Sequence, residues 1–198
     1  MKLLEQIPDS AGLDEAGRGP LAGPVVGAAV ILPADFDCRG LNDSKQLDGA
    51  QRERLEHRIK EKARWAVCFV EPDEIDRLNI LWASMAAMNR AYGDLGEHWG
   101  AIHVDGNRVP RELLGRAEAV IKGDGKLASV AAASILAKTA RDRYMVEMAD
   151  RFPGYGFERH FGYPTPEHLE TLRELGPCLI HRRSFGPVAD CLQGVLAI

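Results

Sequence analysis

The sequence predicts a mixed β-sheet flanked by helices, and three observations carry that expectation. Two apolar, β-branched segments open the chain, short apolar strands alternate with helical stripes through its middle, and its last part is mainly helical. At 198 residues, 45% of them apolar, the chain has the size of one domain and enough apolar side chains for a real core. No repeat, low-complexity tract or Pro/Ser-rich linker divides it. A single domain over 1–198 is therefore expected, with a helical C-terminal part over about 152–198.

Residues 10–15 read as the first strand. Residues 24–32 read as the second, rich in Val25, Val26, Val30 and Ile31, with Gly17-Arg18-Gly19-Pro20 turning between them. Leu47, Leu55, Ile59 and Ala63 recur at multiples of four among Arg, Glu and Lys, an amphipathic helix, and 65–70 then reads as a strand. Leu81, Met85 and Met88 give a second helical stripe. Residues 101–104 and 117–121 are short strands, and each runs into a carboxylate, at Asp105-Gly106-Asn107 and at Lys122-Gly123-Asp124. The longest helical segment, 127–149, contains no Gly or Pro. It carries Val130, Ala133, Ala137, Ala140 and Tyr144 on one face, where small residues allow close approach to a sheet. Beyond Phe152-Pro153-Gly154 the chain is irregular until two final helices, 166–175 and 188–196.

Lys and Arg number 25 against 29 Asp and Glu, a formal charge of −4. That sign decides nothing about nucleic acid, because phosphate binding depends on where the cations sit. The longest apolar run, 21–32, is broken by Gly23, Pro24 and Gly27 and falls well short of the ~20 residues of a membrane span. Glu5, Asp9, Asp14 and Glu15 stand where a secretory signal needs a basic start and an apolar stretch. A cytoplasmic protein without membrane contact is expected. Cys38, Cys68, Cys178 and Cys191 are too scattered to argue for a disulfide framework. Cys178 and His181 form one Cys-x-x-His pair, but no second pair completes a zinc site.

Gly17-Arg18-Gly19-Pro20-Leu21-Ala22-Gly23 invites comparison with a dinucleotide-binding loop, but its spacing is Gly-x-Gly-x-x-x-Gly and a strand follows where that fingerprint needs a helix. What remains is a set of acidic residues at strand ends: Asp14 and Glu15, Asp105, and Asp124. Gathered together they would repel one another unless a cation neutralised them, and hard divalent ions prefer oxygen ligands. Taken singly, each is also what a turn beside glycine requires. Asp14 and Glu15 raise a local objection, since neighbours on a regular strand point to opposite faces; sharing a site requires the strand to bend or end there. Ser134, Lys138 and Arg141 line up at i, i+4 and i+7, either as a solvated helix face or as the wall of a site.

Several segments together closely resemble bacterial ribonuclease HII, in the family's order from about residue 11 to 188. They are Gly12-Leu13-Asp14-Glu15-Ala16-Gly17-Arg18-Gly19-Pro20, Leu41-Asn42-Asp43-Ser44-Lys45, Val104-Asp105-Gly106-Asn107, Lys122-Gly123-Asp124, Ala132-Ala133-Ser134-Ile135-Leu136-Ala137-Lys138, Gly162-Tyr163-Pro164-Thr165 and His181-Arg182-Arg183-Ser184-Phe185. The resemblance implies the ribonuclease H-like fold, a mixed five-stranded sheet flanked by helices with a helical C-terminal part. It implies endonucleolytic cleavage of RNA in RNA/DNA hybrids and of ribonucleotides embedded in duplex DNA, leaving 3′-hydroxyl and 5′-phosphate ends. Position by position, Asp14, Glu15, Asp105 and Asp124 match the family's metal-binding carboxylates, which implies Mg²⁺ or Mn²⁺, two ions in the substrate complex. Gly17, Arg18 and Gly19 match the loop that meets the ribose 2′-hydroxyl, and Tyr163 the tyrosine that packs on the following deoxyribose. Lys45, Ser134, Lys138, Arg182 and Ser184 fall in segments that resemble the phosphate-contacting and site-lining elements.

Two departures stand out: Phe161 where members commonly have Lys, and Gly125 where many have Ser. The type III relatives usually carry an extra N-terminal domain, which is not expected here given the short stretch before the first strand, and a Glu where this chain has Asp124. The rival readings are another metal-dependent phosphoryl-transfer nuclease of the same fold and a non-catalytic hybrid-binding protein. Four carboxylates disfavour the second; Tyr163 and Gly17-Arg18-Gly19 disfavour the first. A monomer is expected. Gln193-Gly194-Val195-Leu196 faintly resembles a sliding-clamp-binding peptide without its aromatic end, and is expected to be an ordinary terminal helix.

Overall fold

The computed structural model describes residues 4–194. In chain order these form β1 (Ala11–Ala16), β2 (Val25–Ile31), α1 (Gly49–Lys62), β3 (Arg64–Val70), α2 (Pro72–Leu78), α3 (Ile80–Asp94), β4 (Ile102–Asp105), β5 (Ala117–Val120), α4 (Ala128–Arg151), α5 (Phe157–His160), α6 (Pro166–Leu175) and α7 (Gly186–Leu192). The five strands make one sheet in the order β3-β2-β1-β4-β5. β1 pairs antiparallel with β2 and parallel with β4; β2 and β3 are antiparallel, β4 and β5 parallel. The expected mixed five-stranded sheet with flanking helices is therefore what the chain builds.

Alternation along the strands divides the core into two layers. Val26, Ala28 and Val30 of β2 face α4, packing with Ala128, Ala132, Ala133, Leu136 and Ala137, and α1 closes this layer through Leu55 and Ile59. Leu13, Ala29, Ile31, Ile102 and Val104 face the other way onto Met85, Met88 and Tyr92 of α3. Both helices come very close. A Cβ on Gly12 would stand 2.2 Å from the Ser129 carbonyl carbon, and one on Gly27 2.4 Å from the Ala87 carbonyl carbon. The small residues of α4 thus do what their pattern predicts, setting the helix directly on β1.

Three features depart from the sequence reading. α2, one short helix started by Pro72 with Asp73 and Glu74 in its first turn, has too few residues to show a period and was not expected. The connection between β1 and β2 is not a tight turn but a loop over 17–24. The final helix begins at Gly186 and ends at Leu192, so Gln193 and Gly194 lie beyond it, and residues 195 and 196 of the clamp-like segment lie outside the described residues. Among the described residues no helix is long and apolar enough to cross a membrane.

Candidate active site

Sheet topology gathers the acidic residues. The parallel pairing of β1 with β4 runs to Leu13 opposite Val104, so the next residues, Asp14 and Asp105, stand side by side at the carboxyl ends of the two strands. Pairing of β4 with β5 ends at Asp105 opposite Val120, and the chain then turns through Lys122, whose φ is +55°, into the short 3-10 turn Gly123–Gly125 that leads to α4. The Gly123 amide donates to Asp105 Oδ1 at 2.7 Å, tying the turn that carries Asp124 to the end of β4. Asp14 and Glu15 share the site without the expected bend: β1 continues regularly to Ala16 against β2. The site opens instead because β4 stops at Asp105, leaving the edge of β1 beyond Leu13 unpaired on that side.

The electrostatics record the crowding. Burial first, then Glu15 and Asp105, push the Asp14 carboxyl well above the usual carboxylate range, against hydrogen bonds from Ser134 and from the Glu15 amide at 2.7 Å. Glu15 is raised by burial and by Asp105, although Arg18 and Lys45 oppose the rise. Asp124 is raised by burial, Asp105 and Asp43, with Lys45 opposing. Among the described residues no three His, Cys, Asp or Glu side chains have closed to metal-holding spacing. Asp14 and Asp105 accept from backbone amides, and Glu15 pairs with Arg18 at 3.4 Å. The donor set nonetheless fits a divalent cation: oxygen only, four formal negative charges, and Asp14, Glu15 and Asp124 each held above the ordinary carboxylate range.

Around this floor lies a cleft of about 910 Å³. Glu15 and Asp105 line it together with the loop Gly17, Arg18 and Gly19, with Tyr163, and with Ser44, Lys45, Ser134 and Lys138. Lys45 is drawn toward the acids: burial would lower it, but Asp43, Asp14 and Asp124 hold its ammonium above its ordinary range. Ser134 and Ser44 share a 3.0 Å hydrogen bond between hydroxyls. Lys138 pairs with Asp142 at 2.6 Å and lies 5.0 Å from the Phe161 ring centroid, so the residue that departs from the family pattern covers this lysine. Gly125, the other departure, has open space where a side chain would project.

Two expectations need correction, and one reading left open is decided. Arg182 does not face the cleft; it is fully buried behind the loop 17–24, bonded to that loop's carbonyls. Ser184 is exposed but outside the cleft lining, its hydroxyl donating to Asp76 Oδ1 at 2.5 Å, so it docks the C-terminal part on α2. The stripe Ser134, Lys138, Arg141 is not a solvated face. Arg141 is 1% exposed and donates to the carbonyls of Pro24, Ala22 and Phe161. Sequence reasoning missed Arg52, which lines the cleft from α1 and holds the carbonyls of Ser44 and Leu47. Nothing marked it among the other charges of an amphipathic helix. Ser44 was legible, sitting between Asp43 and Lys45 in the segment Leu41-Asn42-Asp43-Ser44-Lys45.

An acid-floored, cation-walled cleft at the carboxyl ends of parallel strands defines the class of protein: a metal-dependent nuclease. The model of the family Ribonuclease HII matches residues 11–188, and the chain belongs to that family. A Ribonuclease HII of Idiomarina loihiensis is 54% identical over 185 residues, covering 93% of this chain and 98% of that protein. The crystal structure of the ribonuclease H2 from Pyrococcus horikoshii superposes with a TM-score of 0.76 at 27% identity, over 93% of this chain and 97% of that one. A Bst-RNase HIII in complex with Mn²⁺ shares the fold, with a TM-score of 0.71 at 22% identity over 94% of this chain and 70% of that one. The chain is thus an endoribonuclease that cleaves the RNA of RNA/DNA hybrids and ribonucleotides embedded in DNA.

Proposed function

We propose that Asp14, Glu15, Asp105 and Asp124 hold the divalent cations of this reaction, Mg²⁺ or Mn²⁺, two of them when substrate is bound. The observation that carries this reading is the convergence of the other three carboxylates on Asp105, with each of the three held above its ordinary range partly by that neighbour. Bound there, the ions supply an activated water on one side of the phosphodiester and stabilisation of the leaving oxygen on the other, which leaves 3′-hydroxyl and 5′-phosphate ends. Asp105 keeps its orientation through the Gly123 amide, and Asp14 through Ser134 and its neighbour's amide. Lys45 and Lys138 line the same cleft and would meet the phosphates flanking the cut, and the Ser134 hydroxyl hydrogen-bonds Asp14.

Selection of ribose falls to the glycine loop and Tyr163. The backbone of Gly17, Arg18 and Gly19 approaches the 2′-hydroxyl, and the Tyr163 ring packs on the next sugar. A Cβ on Gly19 would lie 3.5 Å from Tyr163 Cε1, so loop and ring are near enough to grip adjacent nucleotides. Among the described residues the four cysteines are free and no helix is long and apolar enough to cross a membrane.

The decisive experiment compares a DNA duplex carrying one ribonucleotide with a continuous RNA/DNA hybrid, in Mg²⁺ and then in Mn²⁺. Tyr163→Phe should keep most of the activity on the single ribonucleotide, whereas Tyr163→Ala should lose more kcat/KM there than on the hybrid. Stacking of this kind is worth about 1–3 kcal/mol for bases, and a sugar contact falls at the low end. Equal losses on both substrates would remove Tyr163 from ribose selection.

A further inference from the structure

The loop 17–24 carries the residues assigned to ribose recognition, yet it has little regular structure of its own. One buried side chain, Arg182, holds most of its carbonyls. Arg182 Nε donates to Gly23 O at 2.9 Å; Nη1 donates to Arg18 O at 3.2 Å and Pro20 O at 2.8 Å; Nη2 donates to Gly17 O at 2.6 Å and Pro24 O at 3.0 Å. Every N–H of the guanidinium is used, each on a different carbonyl of one loop. No carboxylate forms an ion pair with Arg182 among the described residues, and burial, followed by Arg141, pushes its guanidinium down to about 9, still cationic at neutral pH.

A buried cation without an anion is a costly arrangement unless its hydrogen bonds are complete. Here they are, and the consequence lies on the other side of the loop. With the carbonyls of Gly17, Arg18 and Pro20 turned inward, the amides of Arg18 and Gly19 are left without a partner among the described residues, on the wall of the cleft. The same segment locks the loop to its neighbours: Arg182 N donates to Leu21 O, Leu21 N to Gly162 O and Gly23 N to Ile180 O, each at 2.8 Å. Arg141 braces the loop from α4, its Nη2 bridging Ala22 O and Phe161 O. Gly17 is needed for this packing: its φ is +97°, and a Cβ there would stand 2.2 Å from Arg141 Nε.

We propose that Arg182 is a positioning residue for ribose recognition: it holds the loop 17–24 in the backbone arrangement that presents the Arg18 and Gly19 amides to the cleft, beside Tyr163, and it contacts no phosphate. The proposal rests on the reading that this loop meets the ribose. A lysine at 182 keeps the charge but has three donors for five carbonyls, and a methionine keeps bulk and no donor.

The test uses the full chain with Arg182→Lys and Arg182→Met, amide hydrogen exchange, and cleavage of a duplex bearing one ribonucleotide. In Arg182→Lys the Leu21 and Gly23 amides should exchange at least tenfold faster, with β1 and β2 unchanged. Its kcat should fall about 10–100-fold, with KM within threefold and the salt slope of substrate affinity unaltered. Arg182→Met should fall further in kcat. A salt slope reduced by about one, as loss of a phosphate contact requires, or a kcat within threefold of the parent, would overturn the proposal. So would unchanged exchange at Leu21 and Gly23. If the substitutions at 182 do not fold, the parent still decides: its Leu21 and Gly23 amides must be protected to the level of β2 without substrate, and Arg141→Lys must loosen them. Open-loop exchange in the parent refutes the idea. Tyr163→Ala, run on the single ribonucleotide and on the hybrid, separates the two layers of inference. Equal losses there defeat the ribose reading, while the exchange data still decide what Arg182 does.

Discussion

Replacing Asp105 by Asn removes one negative charge from the centre of the acidic cluster and almost nothing else. The Gly123 amide donates to Asp105 Oδ1 at 2.7 Å, and an asparagine carbonyl accepts the same bond, so the turn that carries Asp124 stays in place. What changes is charge. Asp14, Glu15 and Asp124 are each raised in part by Asp105, so removing its charge relieves a like-charge repulsion felt by all three. Solvent in the cleft and partial protonation leave on the order of 1 kcal/mol to be recovered, which is about 2–4 °C in Tm for a chain of this length. In chelator at pH 8 the variant should therefore be the more stable protein. The sign follows from linkage: carboxyls raised on folding take up protons, so their contribution is favourable at low pH and is lost as pH rises through the raised values. The Tm gain should accordingly shrink from pH 8 to pH 5. Activity should move the opposite way, falling about a thousandfold or more, about 4 kcal/mol of transition-state stabilisation. The rise in Tm on adding Mg²⁺ should be largely abolished. Single-turnover cleavage of a duplex with one ribonucleotide and thermal melts over pH 5–8 measure both. Turnover within tenfold of the parent in a folded variant would refute the metal-holding role, and a lower Tm in chelator would refute the repulsion argument.

Three other outcomes are expected. Lys138→Ala should weaken substrate affinity about uniformly across base sequences and lower its log–log salt slope by about 0.9, as measured by binding at several salt concentrations; an unchanged slope would leave Lys138 as the partner of Asp142 alone. Gly12→Ala should cost about 1–3 kcal/mol or more, visible as a lower Tm together with reduced activity, because both atoms its Cβ would meet at 2.2 Å are backbone of α4 and the helix must move off β1. His181, buried beside His168 and accepting from the Cys178 amide, is held down to about 4 by burial and then by His168, so its contribution is complete above about pH 6.5 and declines as pH falls toward 4, by about 3 kcal/mol in all. His181→Asn, which retains an acceptor for that amide, should flatten the Tm profile between pH 6.5 and 4; a parallel profile would place the acid sensitivity elsewhere.

Period and propensity were enough to read the five strands, the long helix against the sheet and the amphipathic helix before β3 from the sequence, because each of these buries a recognisable face. The acidic residues were legible for a related reason: a carboxylate at the end of an apolar strand is conspicuous, and four of them in a family's order are specific. Residue identity alone could not say how Asp14 and Glu15 come to share a site. That answer lies in where β4 stops, a property of pairing between segments distant in the chain. The same holds for the basic residues. Lys138, Arg141 and Arg182 look alike in a sequence, each a cation in a motif, but tertiary burial sends the first into the cleft and the other two into the interior, where carbonyls of a loop more than a hundred residues away replace phosphate as their partners. A side chain's charge and length are local and can be read from its letter; its solvation and its hydrogen-bond partners are set by the whole fold, and these separate a residue that meets substrate from one that holds the site in shape.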